Sequence, residues 1–430
     1  MLVIIKLIKY FFSTLYWSLQ SKERISKMQL NKFKNIFEYA RENSQFYREI
    51  YTRAGVLDLD IKSWDDIEKV PIVSKDDMRQ YELSNIITTE NINTCNIHST
   101  SGSSGTPFRI AYSKYEDYTG HVRLLFLLLK NGYSPFKRLL LITKNKPNEK
   151  TDIEKDINLI TRMRRFLGLF NSEVISIYET ADKIISKIEE YKPYLLWTTP
   201  SSAYIIAKTL KKQNKKLNVP LLLLISENLP DEHAQLCKEF LCINYIDHYG
   251  CMEAPTMGYS KNNSMTKEIF SSFVFLEVLN KRKVDNYEVG DLILTNLLFK
   301  NMPFIRYNIG DFIEILQDDT FLNKRIGRIY GRINDIIKIE NEEIFHMKLS
   351  QIYRGYIKLE QYKLVLDRKR LELHVKVSDK YNEEEVLKET EQMWYNTYPN
   401  INISVISKED FEIDKKTGKF KVIEIKNNEE

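Results

Sequence analysis

Apolar positions follow three different patterns along the chain. Between residues 23 and 54 they recur at helical spacing, as at Phe33, Ile36, Phe37 and Ala40, and this predicts helices. From about residue 95 to 320, short continuous apolar runs alternate with amphipathic stretches. The runs at 138–143, 194–198 and 221–225 have the length of buried strands, and the segments 182–191 and 201–213 between them read as helices. Such alternation predicts βαβ units with largely parallel sheets, which bind ligands beyond the carboxyl ends of their strands. The last hundred residues differ: 336–339, 364–367 and 371–377 are strand-like and 383–395 is helix-like, an α+β unit with its boundary near Ile333-Asn334.

The N-terminal twelve residues are apolar but interrupted by Lys6 and Lys9, which leaves no span able to cross a bilayer and no cleavage site. Residues 1–30 therefore read either as an amphipathic helix packed on the protein body or as an interfacial membrane anchor. A length of 430 residues suggests two or three domains, and 43% hydrophobic with 12% aromatic content suits a packed globular chain. The net charge is +5, and charges alternate along the chain more than they cluster; no basic stripe calls for nucleic acid. Cys95, Cys237, Cys242 and Cys251 form no Cys-x-x-Cys pair and no zinc spacing with the histidines, so reduced thiols in the cytosol are the simplest reading.

Candidate chemistry begins at residues 98–107, His98-Ser99-Thr100-Ser101-Gly102-Ser103-Ser104-Gly105-Thr106-Pro107. Two glycines and six hydroxyls in ten residues suit a loop that wraps an anion with backbone N–H groups and hydroxyl donors. No Gly-Lys-Ser/Thr follows, so it is not the common P-loop. By composition alone a flexible linker fits as well.

The order Thr-Ser-Gly-Ser-Ser-Gly-Thr-Pro resembles the phosphate-binding signature of adenylate-forming enzymes, and within them the phenylacetate-CoA ligase family, especially its capsular polysaccharide branch. Further motifs carry the resemblance, which runs from about residue 33 to 421. Residues 39–48 and 70–76 are similar to the family's opening; on physical grounds Ser74 would cap a short helix after Pro71. His248-Tyr249-Gly250-Cys251-Met252-Glu253, after a strand-like 243–247, resembles Tyr-Gly-x-Ser/Thr-Glu, with Met252 in place of the usual hydroxyl. The family match at 302–311 ends in Arg306-Tyr307-Asn308-Ile309-Gly310-Asp311. Gly331-Arg332-Ile333-Asn334-Asp335 resembles the superfamily hinge, although Asn341-Glu342-Glu343 replaces a glycine beyond it. Thr417-Gly418-Lys419 resembles the C-terminal Gly-Lys motif.

The resemblance implies an α/β fold: a large N-terminal adenylate-forming domain (1–332) with βαβ sheets and a small mobile α+β domain (333–430). It implies that Thr100, Ser101, Gly102, Ser103, Ser104, Gly105 and Thr106 hold ATP phosphates. Tyr249 with Gly250 would lie against adenine, Glu227 at its amino group, Asp311 on the ribose and Arg332 on the nucleotide. Glu253 would hold Mg2+, Asn334 and Asp335 would be the pivot, and Lys419 the catalytic lysine. For Glu227 a helix N-terminus explains the residue nearly as well, and for Arg306 a buried ion pair is an equal reading. The implied reaction activates a small carboxylate with ATP and passes it to coenzyme A. A sugar amine or hydroxyl, or a carrier protein, is an alternative acceptor, and a non-catalytic nucleotide-binding scaffold of a glycan assembly complex is a rival of another class. The expected location is the cytoplasm, with peripheral membrane contact through the N-terminal helix left open.

Overall fold

The computed structural model describes residues 2–426 apart from 90, 100–107, 145–170, 263, 265, 285–286, 317–324, 333–335, 340–341, 345–347, 350–351, 354–355, 357, 369, 410 and 412–421. The chain opens with helices α1 (Leu2–Ser18), α2 (Lys22–Asn43), α3 (Gln45–Arg53), α4 (Trp64–Glu68), α5 (Lys75–Arg79) and α6 (Leu83–Ile86). The hairpin β1 (Cys95–Ser99) and β2 (Arg109–Ser113) follows, then α7 (Lys114–Lys130). A βαβ series comprises β3 (Leu139–Thr143), β4 (Ser172–Ser176), α8 (Ala181–Tyr191), β5 (Leu195–Thr198), α9 (Pro200–Lys212), β6 (Val219–Leu224), α10 (Asp231–Phe240) and β7 (Cys242–Tyr249). Next come β8 (Gly258–Lys261), β9 (Lys267–Ile269), β10 (Val274–Val284), β11 (Tyr287–Asn296), β12 (Tyr307–Glu314), β13 (Arg325–Ile326) and β14 (Ile329–Arg332). The C-terminal part holds β15 (Ile337–Ile339), β16 (Glu342–Ile344), β17 (Leu359–Asp367), β18 (Arg370–Val377), α11 (Glu383–Thr397), β19 (Ser404–Ser407) and β20 (Ile423–Lys426).

Among the described residues, eight strands form one sheet in the order β13-β9-β8-β7-β6-β5-β3-β4. Strands β4, β3, β5, β6 and β7 are mutually parallel, as the apolar runs predict. The expectation of largely parallel sheets stops there: β8, β9 and β13 add on antiparallel, and a second sheet, β10-β11-β12-β14, is antiparallel throughout. The successive pairs β7-β8, β8-β9, β10-β11 and β11-β12 are joined by at most ten residues, too few for a crossover helix.

The leucine run of β6 has a direct cause. Leu222 and Leu224 face one core, with Leu196, Ile184, Ile206 and Phe240 from β5 and helices α8–α10. Leu221 and Leu223 face the other core, with Leu195, Ile246 and the aromatics Phe33, Phe37, Tyr47 and Tyr51 of α2 and α3. A strand covered on both faces needs an apolar side chain at every position. Helix starts follow the sequence signals: Thr180 and Thr199 cap α8 and α9, and Ser74 makes a capping box with Asp77 at α5.

The C-terminal sheet runs β19-β18-β17-β20, backed by α11. Its separate core centres on fully buried Trp394, whose indole N–H donates to the Ile401 carbonyl at 2.9 Å, with Ile337, Ile344, Leu373 and Val375 around it. It touches the rest of the molecule where the Tyr204 hydroxyl donates to the Glu360 carbonyl at 3.1 Å and Lys208 pairs with the Glu360 carboxylate at 2.7 Å.

Candidate functional site

Two sheets meet at the carboxyl end of β7. The strand runs further than its sequence suggests, through His248 to Tyr249, and then enters a tight loop. Gly250 is required there, since a Cβ would come within 2.7 Å of the Thr256 backbone nitrogen. Within the loop Cys251 and Ala254 exchange backbone hydrogen bonds, and Met257 N–H returns to the Tyr249 carbonyl at 2.9 Å.

Strand β12 of the second sheet supplies the opposite wall. Against β11 it advances four residues, from Asn308 to Phe312, while its partner advances two, from Ile293 to Asp291. That bulge contains Gly310 at φ +78° and re-aims Asp311. The Tyr249 hydroxyl donates to Asp311 Oδ2 at 2.6 Å. Four residues earlier on β12, the Tyr307 hydroxyl donates to Glu253 Oε1 at 3.0 Å, and Asn296 of β11 donates to the Glu253 carbonyl at 3.0 Å. Arg332 is the register partner of Asp311 on β14, with Nε 3.6 Å from Oδ1. Asp311 and Glu253 are buried, whereas the Arg332 side chain is 55% exposed, so a cation projects outward over a sunken carboxylate.

Electrostatics follow from this burial. Desolvation, reinforced by Asp311, raises the Tyr249 hydroxyl well above its ordinary value, so it stays a donor. Burial, with the Glu253 and Asp311 carboxylates nearby, raises the Cys251 thiol well above its usual range. Cys251 is therefore a neutral lining group and not a nucleophile.

A lysine to which the sequence reading gives no role also reaches this place. Val73 bridges to Tyr307, its N–H donating to the Arg306 carbonyl at 3.0 Å while Asn308 N–H donates to the Val73 carbonyl at 2.9 Å. That staple sets α5, and half-buried Lys75 comes under the fields of Glu253, Cys251 and Arg332; desolvation lowers its pKa while Glu253 opposes the shift. Lys75 Nζ also lies 5.2 Å from the ring of Phe108, directly after the Ser/Gly loop. The loop is carried by β1 and β2, whose last register pair is Ser99 with Arg109. Its members Thr100 to Thr106 lie outside the described residues, as do Asn334, Asp335 and Lys419.

Two sequence readings take a definite form. Glu227 accepts from the backbone N–H of Ser201 at 3.0 Å and from its hydroxyl at 2.6 Å, placing its carboxylate on the first turn of α9. It lies just beyond β6, on the same carboxyl edge where β7 delivers Tyr249. Arg306 adopts the buried ion pair: it binds both oxygens of Glu277, at 2.9 and 3.2 Å, and donates to the Glu68 carbonyl at 2.8 Å and to that of Val70. Its work is structural, holding the segment that leads to α5. The four cysteines are free thiols.

No protein-family profile matches the chain. It is 21% identical over 354 residues to a phenylacetate-coenzyme A ligase of Pseudomonas putida, covering 79% of this chain and 77% of the relative. It is 22% identical over 330 residues to protein CapK of Staphylococcus aureus, covering 74% and 70% respectively. Among solved structures, 2-hydroxyisobutyryl-CoA ligase in its postadenylation state with an acyl-AMP superposes with a TM-score of 0.74 at 16% identity, covering 96% of this chain and 91% of that one. The same ligase with CoA in its thioesterification state gives 0.58 at 17% identity. The chain is thus similar along most of its length to phenylacetate-coenzyme A ligases and to CapK, and it shares the fold of 2-hydroxyisobutyryl-CoA ligase.

Proposed function

We propose that this ligase activates a small carboxylic acid with ATP and transfers the acyl group to the thiol of coenzyme A. In the first step a carboxylate oxygen attacks the α-phosphorus in line, forming the acyl-adenylate as the bond to pyrophosphate breaks. In the second, the CoA sulfur attacks the acyl carbon, AMP leaves, and the thiol proton passes to solvent. The observation that carries this reading is the junction where Tyr249, Asp311 and Arg332 meet, a few residues from Glu253.

Each group there has a use in such chemistry. The Tyr249 ring offers a face to adenine while its hydroxyl holds Asp311 in place. Asp311 accepts from the ribose hydroxyls and Arg332 faces the phosphate. Glu253 suits Mg2+, which takes one or two carboxylates and completes its shell with substrate phosphates. Bound there, the ion would neutralise charge developing on the leaving pyrophosphate. Lys75, Arg332 and Lys419 add positive charge, and residues 100–106 add donors; positioning and charge neutralisation supply the rate.

Residues 1–332 form the large unit of this reading and 333–430 a small unit that turns between the two half-reactions about Asn334 and Asp335. The better superposition on the postadenylation state than on the thioesterification state supports such a turn, with this chain nearer the former. We place the reaction in the cytoplasm, where ATP and CoA are available and free thiols stay reduced.

The test incubates the protein with ATP, CoA and a panel of aryl, short fatty and amino acids. Acyl-CoA and AMP appearing together for one acid class is the expected result. AMP release accelerated by an amino sugar or carrier protein but not by CoA would move the acceptor, and no AMP with any acid would leave only the nucleotide-binding scaffold.

A further inference from the structure

Helix α1 is docked by one face only. Tyr10, Thr14 and Trp17 are buried. The Tyr10 hydroxyl accepts from Arg123 at 2.6 Å, the Trp17 ring lies 4.8 Å from Lys32 Nζ, and Phe11 packs edge-on to Phe126. On the other face Ile5, Ile8, Phe12, Leu15, Tyr16 and Leu19 are between 39% and 74% exposed. Their spacing of three and four residues makes one continuous apolar stripe, about 20 Å long at the rise of an α-helix. A monomer seldom leaves such a stripe uncovered without a partner for it.

Charge identifies the partner. The first 27 residues carry five basic side chains against the single Glu23, most of the chain's net charge of +5. Lys6 and Lys9 are exposed beside the stripe, and Arg24 donates to the Tyr16 hydroxyl at 2.6 Å, bringing a guanidinium to its C-terminal end. A second copy of the chain packed on this face would oppose lysine to lysine. An anionic lipid surface would neutralise them while burying Phe12 and Tyr16 at the headgroup boundary. No helix among the described residues is long and apolar enough to cross a membrane, so the contact is with its surface.

We propose that the outer face of α1 is a membrane-docking surface that binds anionic phospholipid headgroups with its lysines and seats Ile8, Phe12, Leu15 and Leu19 in the acyl boundary. The inference stands apart from the ligase reading, because it concerns only α1 and its charge.

Full-length protein is mixed with phosphatidylcholine vesicles with or without phosphatidylglycerol and sedimented. Binding to the anionic vesicles, reduced by salt, is expected. The pair Phe12→Glu and Leu15→Glu should abolish it with an unchanged melting temperature, both positions being exposed. The pair Lys6→Gln and Lys9→Gln should weaken partitioning about thirty-fold, the effect of two cations near an anionic surface. Failure to sediment with anionic vesicles, or equal sedimentation of the glutamate variant and wild type, overturns the proposal. So does a dimer on size exclusion that the glutamate variant dissolves while vesicle binding is absent; the occupant is then a second copy.

Discussion

Both oxygens of Asp311 have partners in the protein, Oδ2 the Tyr249 hydroxyl and Oδ1 the Arg332 guanidinium. Replacing it by asparagine keeps the shape and an acceptor for Tyr249 but removes the charge. Hydrogen bonds to a charged group contribute about 1.5–3 kcal/mol, so Asp311→Asn should raise the KM for ATP about ten- to hundred-fold with little change in melting temperature. A KM within twofold of wild type would mean that the ribose is held elsewhere. His248 makes a different test, through pH. Burial, then the positive charges of Lys267 and Arg123, pushes its imidazole down to about 4. The unfolded chain takes up that proton near the ordinary value of 6.5, so between 6.5 and 4 the unfolded state is favoured as pH falls. Above 6.5 the stabilisation is complete. Thermal melts across this window should fall less steeply for His248→Gln, which keeps a hydrogen bond to Thr256; equal slopes would count against a neutral buried imidazole. The candidate residues were named from short motifs; of these Tyr249, Asp311 and Arg332 come together, while Thr100 to Thr106, Asn334, Asp335 and Lys419 lie outside the described residues. What no motif shows is pairing at a distance: Tyr307 meets Glu253 across 54 positions.

Elements explain why those pairs hold. The Arg306–Glu277 ion pair ties β10 to the start of β12 and, through the Glu68 and Val70 carbonyls, to the segment carrying Lys75. Desolvation raises the Glu277 carboxyl despite the neighbouring guanidinium, so this pair sits in a costly place. Glu277→Gln should lower stability by about 3–5 kcal/mol by leaving a buried cation uncompensated. Denaturant unfolding of that variant, compared with the double change Glu277→Leu and Arg306→Met, checks this: the double variant should recover much of the loss. Equal loss in both would show that the pair matters for packing and not for charge. The parallel strands were readable because burial on both faces forces continuous apolar runs such as Leu221 to Leu224. Strands β8 and β9 were not, since Gly258 to Lys261 and Lys267 to Ile269 are short and largely polar. The bulge that aims Asp311 was also hidden; Gly310 marks it only once the register of β11 is known.

At the scale of the whole molecule, the site lies where the eight-stranded and four-stranded sheets touch, and α1 reaches the same loop from outside. Arg123, fully buried, donates to the carbonyls of Pro255 and Thr256 just beyond Glu253 and to the Tyr10 hydroxyl of α1. Docking of the N-terminal helix and the shape of the Tyr249–Glu253 loop are thus joined by one side chain. The core around Trp394 is separate from the other clusters, which is what the proposed turn of residues 333–430 between half-reactions would require. The central claim is that this assembly forms an acyl-adenylate, and carboxylate-dependent exchange of labelled pyrophosphate into ATP tests it most directly. Exchange with one class of acid is expected, reduced to background in Lys419→Ala although that variant still transfers acyl groups from supplied acyl-adenylate. Absence of exchange with every acid while ATP still binds, or exchange undiminished in Lys419→Ala, would contradict it.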